Sequence, residues 1–80
     1  MRTVEITYFA ILREQRGVSC ETLGTTARTP TELYKELSAR HNFSLDPSLV
    51  RAAVNGVFVP MDAALSDGDN LVFIPPVAGG

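Results

Sequence analysis

The sequence predicts an α+β fold: a mixed five-stranded sheet, one main helix on one face of it, and a flexible C-terminal tail ending in Gly79-Gly80. Three observations carry this. Residues 3–9 alternate apolar and polar side chains with period two, as a half-buried strand does. One strong helix start, Thr29-Pro30-Thr31-Glu32, stands near the middle of the chain. After it, an Asn55-Gly56 hairpin signal and the apolar run Leu71-Val72-Phe73-Ile74 supply further strands. A chain of 80 residues supports a single domain, residues 1–80, with 75–80 as its tail.

The elements follow in order. In the first strand Val4, Ile6 and Tyr8 share the face suited to a core, while Thr3, Glu5 and Thr7 suit water and leave Phe9 on their side. Residues 10–16 form a short helical candidate with Gly17 as its stop. Residues 18–23 read as a second strand, and 24–28 as a loop. Thr29 is positioned to cap the main helix, Pro30 suits its first turn, and Glu32 stands where a capping-box acid reaches back. The helix should run to His41, with Leu33, Tyr34 and Leu37 as its apolar stripe, Glu36 and Arg40 as an i,i+4 pair, and Asn42 as a left-handed stop. Residues 49–54 and 57–59 form a hairpin around Asn55-Gly56, which Pro60 ends. Ser66-Asp67-Gly68-Asp69 is a turn. Residues 71–74 are apolar on both faces, which suits a central strand, and Pro75 cannot continue the ladder. With the first and last strands side by side in the middle, this order is that of the β-grasp, or ubiquitin-like, roll.

Composition narrows the function classes. The chain is 45% hydrophobic and 20% charged, an ordinary globular balance. The net charge is −2 and the basic residues are scattered, so nothing marks a nucleic-acid surface. The start lacks the apolar segment of a signal peptide, no run is long enough to span a membrane, and one cysteine makes no internal disulfide. A cytoplasmic setting is expected. A domain this small has little room for both a core and an enclosed active site, which favours a carrier, adaptor or subunit over a free-standing enzyme.

One helix covers one sheet face. Phe9, Phe58 and Ile74 fall on the other by side-chain parity, and together they would form an exposed apolar patch beside the root of the tail. From Pro75 the tail reaches about 20 Å when extended. Pro75 and Pro76 stiffen its root, Val77 and Ala78 lead on, and Gly79 and Gly80 make a narrow tip able to enter a channel that side chains would block. The chemistry open to such a tip is carboxylate activation: adenylation of Gly80 by ATP makes AMP the leaving group, and sulfide-level sulfur can then give a thiocarboxylate.

The whole chain resembles the small subunits of molybdopterin synthases, the sulfur carriers of molybdenum cofactor biosynthesis. The matching segments are Tyr8-Phe9-Ala10-Ile11-Leu12-Arg13-Glu14, Ala53-Val54-Asn55-Gly56, Leu65-Ser66-Asp67-Gly68-Asp69 and, most closely, Phe73-Ile74-Pro75-Pro76-Val77-Ala78-Gly79-Gly80. The resemblance implies that a ubiquitin-activating-like adenylyltransferase, using ATP and Mg²⁺, adenylates Gly80. A sulfurtransferase or cysteine desulfurase system then makes the thiocarboxylate. The charged tail enters the large synthase subunit, which holds the active site, and gives sulfur to cyclic pyranopterin monophosphate; two transfers build the dithiolene. It implies a heterotetramer of two large and two small subunits, no cofactor bound by this chain, apolar partner contacts at Phe9, Phe58 and Ile74, and a basic one at Arg13. Ile74 departs from the aromatic that the family often carries there.

The alternatives are a carrier for thiamin thiazole, tRNA thiolation or cysteine synthesis, a ubiquitin-like modifier, and a binding module with an inert tail. Five other residues read as structural. Cys20 is expected buried or half-buried in a strand rather than nucleophilic. His41 is a helix-end residue, Lys35 a solvated helix position, and Asp67 with Asp69 turn residues.

Overall fold

The alternation at the start of the chain becomes β1 (Arg2–Tyr8), with Val4, Ile6 and Tyr8 buried. The computed structural model describes residues 1–76, so the expectations for Val77, Ala78, Gly79 and Gly80 lie outside the described residues. After β1 come α1 (Ala10–Arg16), β2 (Cys20–Thr25), α2 (Pro30–His41), one 3₁₀ turn (Pro47–Leu49), β3 (Arg51–Val54), β4 (Val57–Val59) and β5 (Asn70–Ile74). The sheet order is β2-β1-β5-β3-β4. β1 and β5 run parallel in the middle and the other neighbours are antiparallel. This is the mixed five-stranded β-grasp sheet.

Local chemistry sets the element ends. Gly17 closes α1 at φ 89°, where a side chain would be strained. Thr29 caps α2, its hydroxyl accepting from the Glu32 N–H at 3.2 Å, and Asn42 ends that helix in the left-handed region at φ 55°. The Glu32 carboxylate accepts from the Arg28 N–H at 3.2 Å, one residue before the position a capping box would use. Asn55 and Gly56, at φ 52° and 85°, make the β3–β4 turn with the two positive angles that a type I′ hairpin needs. Asp69 is buried in the turn before β5, accepting from the Ser66 N–H at 2.8 Å and the Asn55 amide at 3.1 Å.

The core lies between the sheet and α2. It joins Val4, Ile6, Tyr8, Ala52, Leu71 and Phe73 of the sheet to Leu33, Tyr34 and Leu37 of the helix, with Leu12 from α1. Tyr34 packs edge-on to Phe73 at 5.4 Å between ring centres. Its hydroxyl donates to the Leu45 carbonyl at 2.8 Å, so the buried phenol is satisfied. The expected Glu36–Arg40 pair forms at 3.6 Å.

Four expectations need correction. The second strand is displaced from 18–23 to Cys20–Thr25, because its register with β1 pairs Gly24 and Thr25 with Thr3 and Arg2 and leaves Val18 outside the ladder. The third begins at Arg51 rather than Leu49, since Asp46 caps a 3₁₀ turn by accepting from the Ser48 N–H at 2.9 Å. Phe9 is the residue before α1 and not the end of β1. Cys20 is exposed, not buried or half-buried: it opens an edge strand opposite Thr7, whose side chain lies on the face away from the core.

Candidate functional site

Register places one set of side chains on the face that α2 leaves uncovered. Val72 of β5 lies between Thr7 of β1 and Ala53 of β3, and Ala53 is opposite Phe58 of β4. Ile74 pairs with Arg51 one step closer to the tail. Ala53 is buried yet outside the main core cluster, consistent with its place on this outer side beneath larger neighbours. Phe58 is 67% exposed and Phe9 48%, a large aromatic area left in water. Ile74 is half-buried between two open grooves.

Both grooves include the root of the tail. The first, about 510 Å³, is walled by Phe9, Ala10, Ile11 and Leu45 on one side and by Ile74, Pro75 and Pro76 on the other. The second, about 430 Å³, runs from Ile74, Pro75 and Pro76 to Ser48, Leu49, Arg51 and Phe58. The diproline therefore leaves the sheet along an apolar ridge with a trough on each side. Pro75 is buried and Pro76 exposed, so the chain passes from packed to solvated within one residue.

Phe9 and Ala10 break two local rules to build this surface. The position before a helix favours Ser, Thr, Asp or Asn, which are worth about 1 kcal/mol as caps. Phe9 makes no side-chain cap bond there. Ala10 sits at φ 50°, a region that costs an L-residue roughly 1–2 kcal/mol. The sharp turn they make leaves the Phe9 ring at the groove, while Leu12 of α1 is buried in the core. Violations of this kind gather at functional sites. Ala10→Val should therefore cost about 1–2 kcal/mol, because branching at Cβ is least tolerated at positive φ. Ala10→Gly should be neutral or slightly stabilising, instead of losing the ~1 kcal/mol usual inside a helix. Urea midpoints of the two variants check this.

α1 is held by a polar network that sequence reasoning missed. The Tyr8 hydroxyl donates to Glu21 Oε2 at 2.6 Å, and the Arg16 guanidinium grips both Glu21 oxygens at 2.8 Å. The hydrogen bond from Arg16 is the main cause holding the Glu21 carboxyl below the usual carboxylate range, with the Tyr8 bond adding to it. Burial, then the bond to Glu21, pushes the Tyr8 phenol well above its ordinary value. Because the Glu21 value is depressed on folding, its stabilisation is complete above the unfolded value near 4.5 and is lost as pH falls through the lower folded value. Glu21→Gln should lose about 1–2 kcal/mol at neutral pH. The gap to the unaltered protein should narrow as pH falls below the unfolded value near 4.5 and close as it passes the lower folded value, as read from urea midpoints across the acid range.

Arg13 is exposed on α1 one turn after Phe9 but lines neither groove. Ile11, Leu45, Leu49 and Arg51 line the grooves without having been singled out from the sequence; register and the 3₁₀ turn, rather than composition, bring them there. Cys20 stands at the far edge of the sheet from Phe58. Lys35 is exposed on α2, and His41, half-buried at its end, lies 6.0 Å from the Phe43 ring. Among the described residues no group of three His, Cys, Asp or Glu could hold a metal ion, and no helix is long and apolar enough to cross a membrane.

Comparison with known proteins places the chain among its relatives. The profile of the ThiS family matches residues 6–80. The molybdopterin synthase sulfur carrier subunit of Escherichia coli (strain K12) is 31% identical, over 96% of this chain and 99% of its own. The protein of the same description from Chlamydomonas reinhardtii is 39% identical, over 96% and 98%. The crystal structure of SAMP1 from Haloferax volcanii superposes with a TM-score of 0.75 at 25% identity, covering 98% of this chain and 99% of that one.

Proposed function

The chain belongs to the ThiS family, and from that premise we propose that it is the sulfur carrier subunit of a molybdopterin synthase. The observation that carries the reading is the convergence of the exposed face on Pro75 and Pro76, with Phe9 on one side of the ridge and Phe58 on the other. A carrier needs a rigid body that a partner can hold while chemistry proceeds at the end of a tail. The names of the relatives, sulfur carrier subunits covered almost end to end, support the same reading.

The proposed cycle begins at Gly80. Its carboxylate attacks the α-phosphate of ATP on a ubiquitin-activating-like adenylyltransferase, which supplies the Mg²⁺, and pyrophosphate leaves. Sulfide-level sulfur from a sulfurtransferase or cysteine desulfurase system attacks the carbonyl carbon, and AMP leaves with its electron pair. The resulting thiocarboxylate is ionised at neutral pH and is a soft nucleophile. In the large synthase subunit it delivers sulfur to cyclic pyranopterin monophosphate, and two deliveries form the dithiolene. This chain contributes no acid, base or metal to these steps. Phe9, Phe58 and Ile74, with Arg13 at the margin, hold the large subunit in a heterotetramer, and Pro75 through Gly79 deliver the tip. The setting is cytoplasmic, where ATP and the activating enzyme meet the carrier.

Incubating the purified protein with its activating enzyme, ATP and a sulfur source should raise its mass by the exchange of one oxygen for sulfur at Gly80. No change in the presence of an enzyme shown to be active sinks the reading. The likeness to SAMP1, a modifier by name, supports a second reading as a ubiquitin-like modifier. That reading requires isopeptide-linked adducts of this protein in cell lysate.

A further inference from the structure

Among the described residues, Arg51 is the one charge inside the apolar part of the outer face. It opens β3 opposite Ile74 and lines the second groove with Phe58 and the two prolines. It is exposed, and among the described residues it makes no ion pair.

The acidic charges on this side, Glu5 and Asp67, are at the opposite end, where they line one groove. Glu5 of β1 pairs with Asn70, four residues before Ile74 along β5. That spacing is about 13 Å, beyond the Debye length of roughly 8 Å in physiological salt. Glu5 and Arg51 therefore do not neutralise each other. The face is acidic at the end far from the tail, uncharged across Val72, Ala53 and Phe58, and basic where the tail begins.

In the isolated protein this arrangement costs little. The arginine stem covers apolar neighbours and the guanidinium stays in water. A partner that closed over Phe58 and Ile74 would take that head out of water, and a buried charge without a counter-ion is strongly unfavourable. An entirely apolar partner surface is thus excluded at this end of the face.

We propose that Arg51 is a pairing determinant for the large subunit, whose docking surface carries an Asp or Glu opposite it, beside the entrance that receives the tail. This rests on the reading that the outer face docks the large subunit. The carboxylate does two things there. It pairs the guanidinium, and with Glu5 at the far end it admits one orientation of the body, the one that aims Pro76 at the entrance. Turning the carrier end for end would set the partner's acid against Glu5 and leave Arg51 unpaired.

The test measures binding of the full-length protein to its purified large subunit by calorimetry, at low and high salt. Arg51→Glu should weaken binding by at least about tenfold at low salt, the loss should shrink at high salt, and Arg51→Lys should keep most of the affinity. Unchanged affinity for Arg51→Glu at low salt, or a loss equal at both salts, overturns the proposal. Phe58→Asp separates the two levels. If it abolishes binding while Arg51→Glu does not weaken it, the docking face stands and the Arg51 assignment falls. If neither variant changes binding, or the unaltered protein does not bind, the docking reading falls and Arg51 with it. Arg51 is exposed at the start of its strand, so its variants should match the unaltered protein in thermal midpoint, which keeps folding out of the comparison.

Discussion

Deleting Gly80 is expected to abolish formation of the thiocarboxylate, by at least about 100-fold, while leaving thermal unfolding unchanged. The deletion leaves a glycine carboxylate at the end of the chain, so the chemistry of the group is the same. What changes is reach. One residue of extended chain spans about 3.3–3.6 Å, and attack on phosphorus needs the reacting atoms within about 3–3.5 Å, where an error near 1 Å costs roughly 100-fold. Adding a glycine after Gly80 should fail for the same reason, with the surplus chain blocking the nucleotide. Mass spectrometry after incubation with the activating enzyme reads both variants. If either is charged at the normal rate, a fixed distance between body and tip is not what the activating enzyme measures.

Phe73→Ala should have the largest effect on stability, a loss of about 3–5 kcal/mol. Phe73 is fully buried at the centre of the sheet, paired with Tyr8 on one side and Ala52 on the other, with Tyr34 against its ring. Small domains lie at the low end of a range of roughly 5–15 kcal/mol for total stability. The variant should be substantially unfolded on mild heating, as circular dichroism and urea titration will show. Phe58→Ala is the contrast: the same deletion of a ring, one strand beyond Ala53, should change stability by under about 0.5 kcal/mol. It should weaken large-subunit binding by tenfold or more, as loss of an exposed aromatic anchor does. If the two variants lose similar stability, Phe58 belongs to the body and the outer face is no docking surface.

The sheet order was legible in the sequence because its signals are local and agree with one another. Thr29, Pro30 and Asn42 bound α2 where capping chemistry requires, and Asn55-Gly56 fixes the hairpin register. An apolar run covered on both sides could only be central, so β5 falls beside β1. Side-chain parity also separated Phe58 and Ile74 from the core, whereas Phe9 is kept out of it by the turn before α1. The misplaced elements have two causes, long-range pairing for β2 and a local turn for β3. Val18 has good strand propensity but no partner in the ladder, while Gly24 has poor strand propensity and is held by Thr3. Leu49 has an apolar side chain suited to a strand, but Asp46 and Pro47 start a 3₁₀ turn that includes it. Arg51 escaped notice because its meaning depends on what stands opposite. A lone arginine at the start of a strand is ordinary, and one set against Ile74 at the root of the tail is not. The Tyr8–Glu21–Arg16 network was hidden for the same reason, since only the β1–β2 register brings Glu21 to the phenol.

The parallel pairing of β1 with β5 has a mechanical consequence. Any partner that grips the chain beyond Pro76 and draws on it pulls along the axis of β5. That strand is bonded on one side to β1 over Glu5–Tyr8 and on the other to β3 over Arg51–Val54. A load along the axis strains these bonds together, in shear, instead of opening them one after another as peeling would. The body is thus anchored on both flanks of the strand that bears the tension. An enzyme can tug the end into its channel, and a degrading machine pulling from the same end meets its greatest resistance at β5.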